Sequence, residues 1–361
     1  MAHLDVVPVE EASKPLWTVD PFGGVAKDGF IWGRGAVDNK MNLISMLETV
    51  EKLLENYQPN RSVYFAFGHD EEVGGSNGAR MIARLLQARK VTAEFVLDEG
   101  GFVTSERVPG MHKPVALLGT SEKGILALKL SVEKPGGHSS TPEHETAVDI
   151  ITQALGKIRS KPFNADLTPS KDFIEHIGPE LPFLQKLAFA NTGLLKSLII
   201  NAYEKTPTDN AIIRTTVVPT IIAAGIKENV VPSVATATLN IRLLPGDSIS
   251  RVTARVRSLI DDDRIKIKIL KGREASSITP VESEGYRKTE KMVRQTFSHT
   301  TVTPFLLIGA TDASHFQPIT KGTIRFSPMT DPIGFHGINE RVSLESFRQA
   351  LWFYEQLMRD I

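Results

Sequence analysis

The alternation of short apolar runs with helical stretches over residues 1–120 constrains the fold more than any other feature of this chain. Residues 62–68 and 93–97 are apolar runs bounded by polar or glycine-rich turns, which is typical of strands buried on both faces. Residues 42–55 and 78–89 instead carry apolar side chains at helical spacing. The pattern predicts an α/β domain in which helices cover a mainly parallel, twisted sheet.

The pattern changes after Lys123 to longer alternating strands. Together with the helical stretches near residues 146–158 and 248–260, these strands predict a separate α+β unit inserted into the first domain. The predicted boundaries place residues 1–121 and 272–361 in the first domain. The inserted domain then spans residues 122–271 and carries a helix-rich insertion at 163–207.

Histidine and acidic residues stand where several of the predicted strands end. The segments are His3-Leu-Asp5, Asp38-Asn39, His69-Asp-Glu-Glu72 and Asp98-Glu99. In open α/β sheets the carboxyl ends of the strands form the ligand-binding edge. One such acid alone is more often a helix cap or a solvated loop residue, but four segments together indicate a site. The adjacent carboxylates of Glu71 and Glu72 repel each other, and a bound cation would compensate for this.

The available ligand types restrict the metal. The chain contains no cysteine, so nitrogen and oxygen atoms must hold the ion, which suits zinc, with manganese or cobalt as substitutes. Two ions about 3.5–4 Å apart need a bridging carboxylate, and Asp38 is the candidate. Asp5 follows His3 by two strand positions, so it lies on the same face and can orient the imidazole.

Six motifs occur along the chain in the order found in a known family. They are Ala2-His-Leu-Asp-Val-Val-Pro8, Gly33-Arg-Gly-Ala-Val-Asp38, Asp70-Glu-Glu-Val-Gly-Gly75, Leu97-Asp-Glu-Gly100, Gly136-Gly-His138 and Phe335-His-Gly337. The series closely resembles the M20 family of di-zinc metallopeptidases. Within that family it is most similar to the aminoacylase and carboxypeptidase S-like branch, which includes N-fatty-acyl-amino-acid hydrolase/synthase-like proteins.

The resemblance implies a role for each residue of the first domain's site. The implied metal ligands are His3, Asp38 as the bridge, Glu72, His336 and one of Asp98 and Glu99. Neighbouring strand residues point in opposite directions, so only one of Asp98 and Glu99 is expected to bind, and the sequence leaves that choice open. Glu71 would be the general base acting on a metal-bridged water. The resemblance also implies a cis peptide bond between Asp38 and Asn39.

The resemblance implies that the inserted domain serves as a lid or dimerisation domain. A homodimer that forms through this domain is therefore expected as a possible partner state. His138 would stabilise the developing oxyanion, while Asn210 and Arg242 match positions that hold the substrate's free carboxylate. Family members normally carry several tens of residues before the His-x-Asp strand, and this chain starts at that strand. We therefore expect either a fragment or a sheet with an exposed edge, and the sequence does not indicate the compartment.

Composition and charge narrow the function classes. Forty-two basic residues balance forty-two acidic ones, which argues against nucleic acid as a partner, and no apolar run is long enough for a membrane span.

The favoured function is metal-dependent hydrolysis of N-acyl amino acids or of peptides with a free C-terminal carboxylate, and the same enzyme could run in reverse as a synthase. The alternative is a catalytically silent, metal-binding or assembly homologue, but retention of Glu71 with every ligand favours the enzyme.

Overall fold

The computed structural model describes residues 1–105 and 107–361. Contacts between Cα atoms divide the chain into two compact units. Unit 1 contains Met1–Ser121, Lys171–Thr192 and Ile278–Ile361, and unit 2 contains Glu122–Ser170 and Gly193–Ser277. Residues 171–192 fall inside the predicted insertion at 163–207, yet they group with unit 1 because the first helix of this stretch packs against a strand of that unit. The lid and dimerisation roles stay predictions.

The strands are numbered in chain order through the described residues. They are β1 (Ala2–His3), β2 (Val25–Lys27), β3 (Phe30–Trp32), β4 (Phe67–Gly68), β5 (Val96–Asp98), β6 (Val103–Thr104), β7 (Val115–Glu122), β8 (Gly124–Glu133), β9 (Gly137–His138), β10 (Thr216–Ala224), β11 (Val230–Val231), β12 (Val234–Leu243), β13 (Lys266–Arg273), β14 (Thr301–Leu307), β15 (Thr323–Arg325) and β16 (Arg341–Ser343).

The α-helices are numbered in the same way. They are α1 (Met41–Leu54), α2 (Ala79–Ala88), α3 (Ala147–Ser160), α4 (Lys171–Ile177), α5 (Phe183–Ala190), α6 (Thr192–Tyr203), α7 (Pro207–Ile212), α8 (Ile249–Ile260), α9 (Glu284–Thr296) and α10 (Leu344–Arg359). In the described ranges, none of the helices combines the length and apolar character that crossing a bilayer requires.

Unit 1 is built on a mixed sheet, which confirms the predicted α/β class. The strand order is β14-β7-β15-β5, with β6 paired to β7. β5 and β15 run parallel, whereas β15 and β7 run antiparallel. β1 pairs in parallel with β4, so that Ala2 lies opposite Phe67 and His3 opposite Gly68. The carboxyl ends of β1, β4 and β5 carry the acidic and histidine residues singled out above.

The apolar stripe of α1 forms the main core of unit 1. Met46 and Leu53 share one buried cluster with Phe326 of the segment after β15 and with Phe353 of α10. α1 packs directly against α10, as expected for helices that cover one face of a sheet. A second, smaller apolar cluster includes α2 and the turn Asp312–Ile319.

Unit 2 is an antiparallel sheet in the order β10-β12-β8-β13. Alternate residues of β8 and β12 are buried, among them Leu128 and Leu239, and α3 and α8 supply the apolar residues that pack with them. A separate two-stranded pair joins β9 to β11, so that His138 lies opposite Val230.

Candidate metal centre

Two histidines contact the two carboxylate oxygens of Asp38. His3 Nε2 lies 2.9 Å from Asp38 Oδ1, and His336 Nε2 lies 2.8 Å from Asp38 Oδ2. Asp38 is 6 % exposed, and its peptide bond to Asn39 is cis, as the resemblance implied. Asp38 therefore has one oxygen towards each histidine, which is the arrangement that a bridging ligand requires.

Glutamates complete both sides of this pair. Glu99 Oε1 lies 3.1 Å from His3 Nε2, and Glu72 Oε2 lies 3.5 Å from His336 Nε2. Among the described residues, two sets of side chains have ligand atoms close enough to hold an ion, namely His3 with Asp38 and Glu72, and His3 with Glu71 and Glu99. Glu71 therefore lies close to His3 and Glu99. Its predicted role as general base requires a position beside the metal ligands.

The structure gives Asp98 and Glu99 different contacts. Asp98 directs Oδ2 to the backbone N–H of Ala313, which donates a hydrogen bond of 2.7 Å. The side chain of Glu99 points to the opposite side of the chain from that of Asp98, and it is the acid that contacts His3. These contacts favour Glu99 as the candidate ligand and make Asp98 a support for the loop that contains Ala313.

The electrostatics of the cluster fit a cation. Burial and the charge of Asp38 raise the pKa of Glu99 well above its ordinary value. Burial, together with neighbouring acids such as Asp312, raises the pKa of Glu71 to about 9. Burial lowers the pKa of His3, but its hydrogen bonds with Asp38 and Glu99 outweigh this and raise it to about 12. Buried acids that ionise only with difficulty favour a divalent cation beside them.

One carboxylate oxygen of Glu72 gives independent support for a cation at this site. Its Oε1 atom is buried and has no hydrogen-bond partner within the described part of the chain. Buried polar atoms are normally satisfied, and the other oxygen of this carboxylate lies 3.5 Å from His336 Nε2, so Oε1 is the kind of atom that a metal ion satisfies. The donor set of imidazole nitrogens and carboxylate oxygens suits zinc, manganese or cobalt.

Asp5 supports three members of the cluster at once. The backbone N–H groups of Glu71 and Glu72 donate to its two carboxylate oxygens, both at 3.1 Å. His3 Nδ1 lies 2.9 Å from the backbone oxygen of Asp5 and 3.3 Å from Oδ1. The sequence predicted the contact with His3, whereas the anchoring of the Glu71–Val73 turn appears only in the structure.

Glu340 is a supporting residue that sequence reasoning missed. Its side chain is fully buried, pairs with Arg34 Nη1 at 2.5 Å, and accepts hydrogen bonds from the backbone N–H groups of Gly35, Val37 and Asp38 at 2.9–3.1 Å. It therefore holds the irregular turn that presents Asp38. Its local sequence, Gly-Ile-Asn-Glu-Arg, does not distinguish it from a surface acid.

Asp312 is a second missed residue, and two glycines make room for it. A Cβ atom on Gly75 would lie 2.0 Å from Asp312 Oδ1, and one on Gly68 would lie 2.8 Å from Oδ2. Burial, with the nearby charge of Asp98, raises the pKa of Asp312 to about 7.

The remaining predicted site residues lie in unit 2. His138 is exposed on β9, with Nδ1 2.8 Å from Ser140 Oγ. Arg242 is half-buried on β12, opposite Ile125 of β8 and Thr216 of β10, and burial lowers its pKa. Asn210 lies in α7. Their roles stay predictions.

Comparison with known proteins identifies close relatives. A family model described as Peptidase family M20/M25/M40 matches residues 1–360. The mouse N-fatty-acyl-amino acid synthase/hydrolase PM20D1 is 37% identical over 370 residues, covering 100% of this chain and 73% of the relative. A probable carboxypeptidase S-like 2 of Dictyostelium discoideum is 38% identical over 366 residues, covering 99% and 70%.

Solved structures share the fold. The M20 family metallo-carboxypeptidase Sso-CP2 from Sulfolobus solfataricus superposes with a TM-score of 0.72 at 18% identity, covering 99% of this chain and 83% of the other. Human carnosine dipeptidase 1 gives a TM-score of 0.64 at 17% identity, covering 99% and 79%. The α/β architecture is therefore that of metallopeptidase structures.

Proposed function

The chain belongs to peptidase family M20/M25/M40, whose members are metal-dependent hydrolases, and on that premise we propose that it cleaves the amide bond of N-acyl amino acids or of peptides with a free C-terminal carboxylate. The observation that carries the proposal is the contact of His3 and His336 with opposite oxygens of Asp38, with Glu71 and Glu72 beside them. A site built only for metal storage would not need the additional acid, Glu71.

Two zinc ions, or manganese or cobalt in their place, are the proposed cofactors. His3 and Glu99 would hold one ion, Glu72 and His336 the other, and Asp38 both. When bound, such ions polarise a substrate carbonyl oxygen and lower the pKa of water towards about 7. Asp5 and Glu340 would keep the ligands in place through the hydrogen bonds already described.

Glu71 is the proposed general base. It accepts a proton from the attacking water and then donates that proton to the nitrogen of the leaving amine. Burial raises its pKa to about 9, so the carboxylate form needs positive charge nearby at neutral pH. A cluster loaded with divalent cations meets that need. The same barrier is lowered in both directions, so the enzyme would also condense a carboxylic acid with an amino acid when concentrations favour it.

Unit 2 supplies the proposed substrate contacts. The planar guanidinium of Arg242 suits the two oxygens of a free carboxylate, with Asn210 as a further donor. His138 would donate a hydrogen bond to the developing oxyanion, and unit 2 would form a homodimer as a lid or dimerisation domain. In unit 1, the exposed Phe183 and Leu184 of α5 are the proposed contact for a long acyl chain.

A substrate panel tests the proposal. Metal-loaded protein is given long-acyl amino acids, acetyl amino acids and dipeptides, each beside a matched compound whose carboxylate is blocked as an amide. We expect turnover of the free carboxylates, preference for long acyl chains, and at least about a tenfold loss for the blocked compounds, equal to about 1.4 kcal/mol. Arg242→Met should remove that preference, whereas Arg242→Lys should retain part of it. Metal uptake without turnover would refute the enzymatic proposal and favour a silent homologue.

A further inference from the structure

Lys123 is a buried charged residue that the proposed mechanism does not use. It directly precedes β8 in unit 2 and is 1% exposed. Its Nζ atom donates two hydrogen bonds of 2.8 Å, one to the backbone oxygen of Ala211 and one to that of Arg214. A lysine is almost never buried this completely unless it is paired, and here it is paired with backbone oxygens.

The two hydrogen bonds hold the end of α7. This helix has six residues, so it depends on contacts with the rest of unit 2. Its last C=O groups have no partner within the helix, and Lys123 supplies donors to Ala211 and, just beyond the helix, to Arg214. A positive charge also suits the C-terminal end of a helix. Because Asn210 directly precedes Ala211, the same contacts determine where Asn210 lies.

The chain that follows α7 leads to Arg242. Thr216 begins β10 and lies opposite Arg242 of β12. The hydroxyl oxygen of Thr215 accepts a hydrogen bond of 2.9 Å from the backbone N–H of Leu244, which directly follows β12. The segment held by Lys123 therefore connects Asn210 with the strand neighbour of Arg242, and these are the two residues proposed to bind the substrate carboxylate.

The charges around Lys123 favour an anion. Arg242 is half-buried, and within the described part of the chain neither its guanidinium nor the side-chain amide of Asn210 has a hydrogen-bond or ion-pair partner. Burial and the positive charge of Arg242 lower the pKa of Lys123 to about 7, although the charge of Asp247 opposes this. Two neighbouring cations disfavour each other's charged forms, and a bound carboxylate would offset that repulsion.

We propose that Lys123 is a positioning residue for the substrate's free carboxylate, because it holds the end of α7 where Asn210 can bind the same group as Arg242. This inference rests on the proposed function. Lys123 acts through Asn210 and not by touching the substrate, since its Nζ atom is already bound to two backbone oxygens. Its loss should therefore weaken binding of free carboxylates and change the chemical step little.

The change Lys123→Met tests this role in the metal-loaded full chain. The substrates are an N-acyl amino acid and the matched compound whose carboxylate is blocked as an amide. We expect kcat/KM for the free carboxylate to fall about tenfold, mainly through KM, while kcat/KM for the blocked compound changes by less than about twofold. A merely structural role would lower both values together. Lys129→Met, which replaces an exposed lysine of β8, is the control and should resemble the wild type for both compounds.

A double-mutant cycle identifies the residue through which Lys123 acts. In the Asn210→Ala background, the further change Lys123→Met should lower kcat/KM for the free carboxylate by less than about twofold, because the positioned contact is already absent. An equal loss in both backgrounds would overturn the proposal.

Lys123→Gln is the second variant, in case Lys123→Met does not fold. Its shorter side chain keeps two N–H donors, so we expect a smaller loss of about threefold that is still confined to the free carboxylate. Wild-type selectivity in either folded variant would overturn the proposal.

A wild type that turns over neither compound would instead refute the proposed function. The same comparison is then made with Kd values from calorimetry, where Lys123→Met should weaken binding of the free carboxylate alone. An unchanged Kd would overturn the role of Lys123.

Discussion

Replacing Glu340 with alanine should destabilise the protein more than almost any other single change near the site. Glu340 is 0% exposed at its side chain and Arg34 is 4% exposed, so the variant leaves a buried guanidinium without its carboxylate. Breaking a buried pair in this way costs about 3–5 kcal/mol. The loss should fall at the upper end of that range, because the backbone N–H groups of Gly35, Val37 and Asp38 lose their acceptor as well.

Urea unfolding at neutral pH measures this loss as a change in midpoint at a constant slope. Glu340→Gln, which keeps one acceptor oxygen, should lose less. Glu345→Ala is the matched control, because that side chain is 58% exposed and its pairing with Arg348 is worth little. Metal affinity should fall about 10–100-fold in Glu340→Ala, since the turn carrying Asp38 is released. A loss below about 1 kcal/mol, equal to that of the control, would refute the assigned role.

Two further predictions follow from buried contacts. Gly75→Ala should lower the free energy of unfolding, measured in urea, by about 1–3 kcal/mol. The reason is that the φ of Gly75 is +64° and that the new Cβ would meet Asp312 Oδ1. An unchanged free energy of unfolding would contradict the close contact. Burial lowers the pKa of Lys123 from 10.5 to about 7, so between these values the unfolded state binds more protons and stability rises with pH. Relative to Lys123→Met, the free energy of unfolding of the wild type should therefore increase by about 1.4 kcal/mol per pH unit between about pH 8 and 9. Parallel plots of the free energy of unfolding against pH for the two proteins would refute this.

The parts of the site that were predictable are those that local sequence rules determine. His3 and Glu72 stand at the ends of predicted strands, and the strand ends of an α/β sheet meet at one edge, so their proximity followed from the pattern. Asp38 instead lies in the turn Ala36–Lys40. The helix predicted over residues 42–55 forms as Met41–Leu54, because its apolar stripe faces the main cluster. Such features depend on side-chain periodicity over a few turns of chain.

The parts that were not predictable depend on contacts between distant segments. Glu340 lies about three hundred residues from the turn that it holds, and nothing in its neighbours indicates burial. Asp98 and Glu99 are equivalent as sequence, and they differ only in their contacts with distant residues: Ala313 N–H donates to Asp98, and His3 lies beside Glu99. Residues 62–65 have the composition of a strand but form no backbone hydrogen bond within the described part of the chain, because a strand needs a partner as well as a propensity.

The measurement that tests the central claim most directly compares Glu71→Gln with Glu72→Gln in rate and metal content. Glu71 lies within ligand distance of His3 and Glu99, so the roles of base and ligand are both geometrically open to it. If Glu71 is the base, its glutamine variant should retain both metal ions while hydrolysis of an N-acyl amino acid falls by at least about 10²–10⁴-fold. Glu72→Gln should lose metal as well as activity. Wild-type turnover in Glu71→Gln, or loss of one ion from it, would contradict the account.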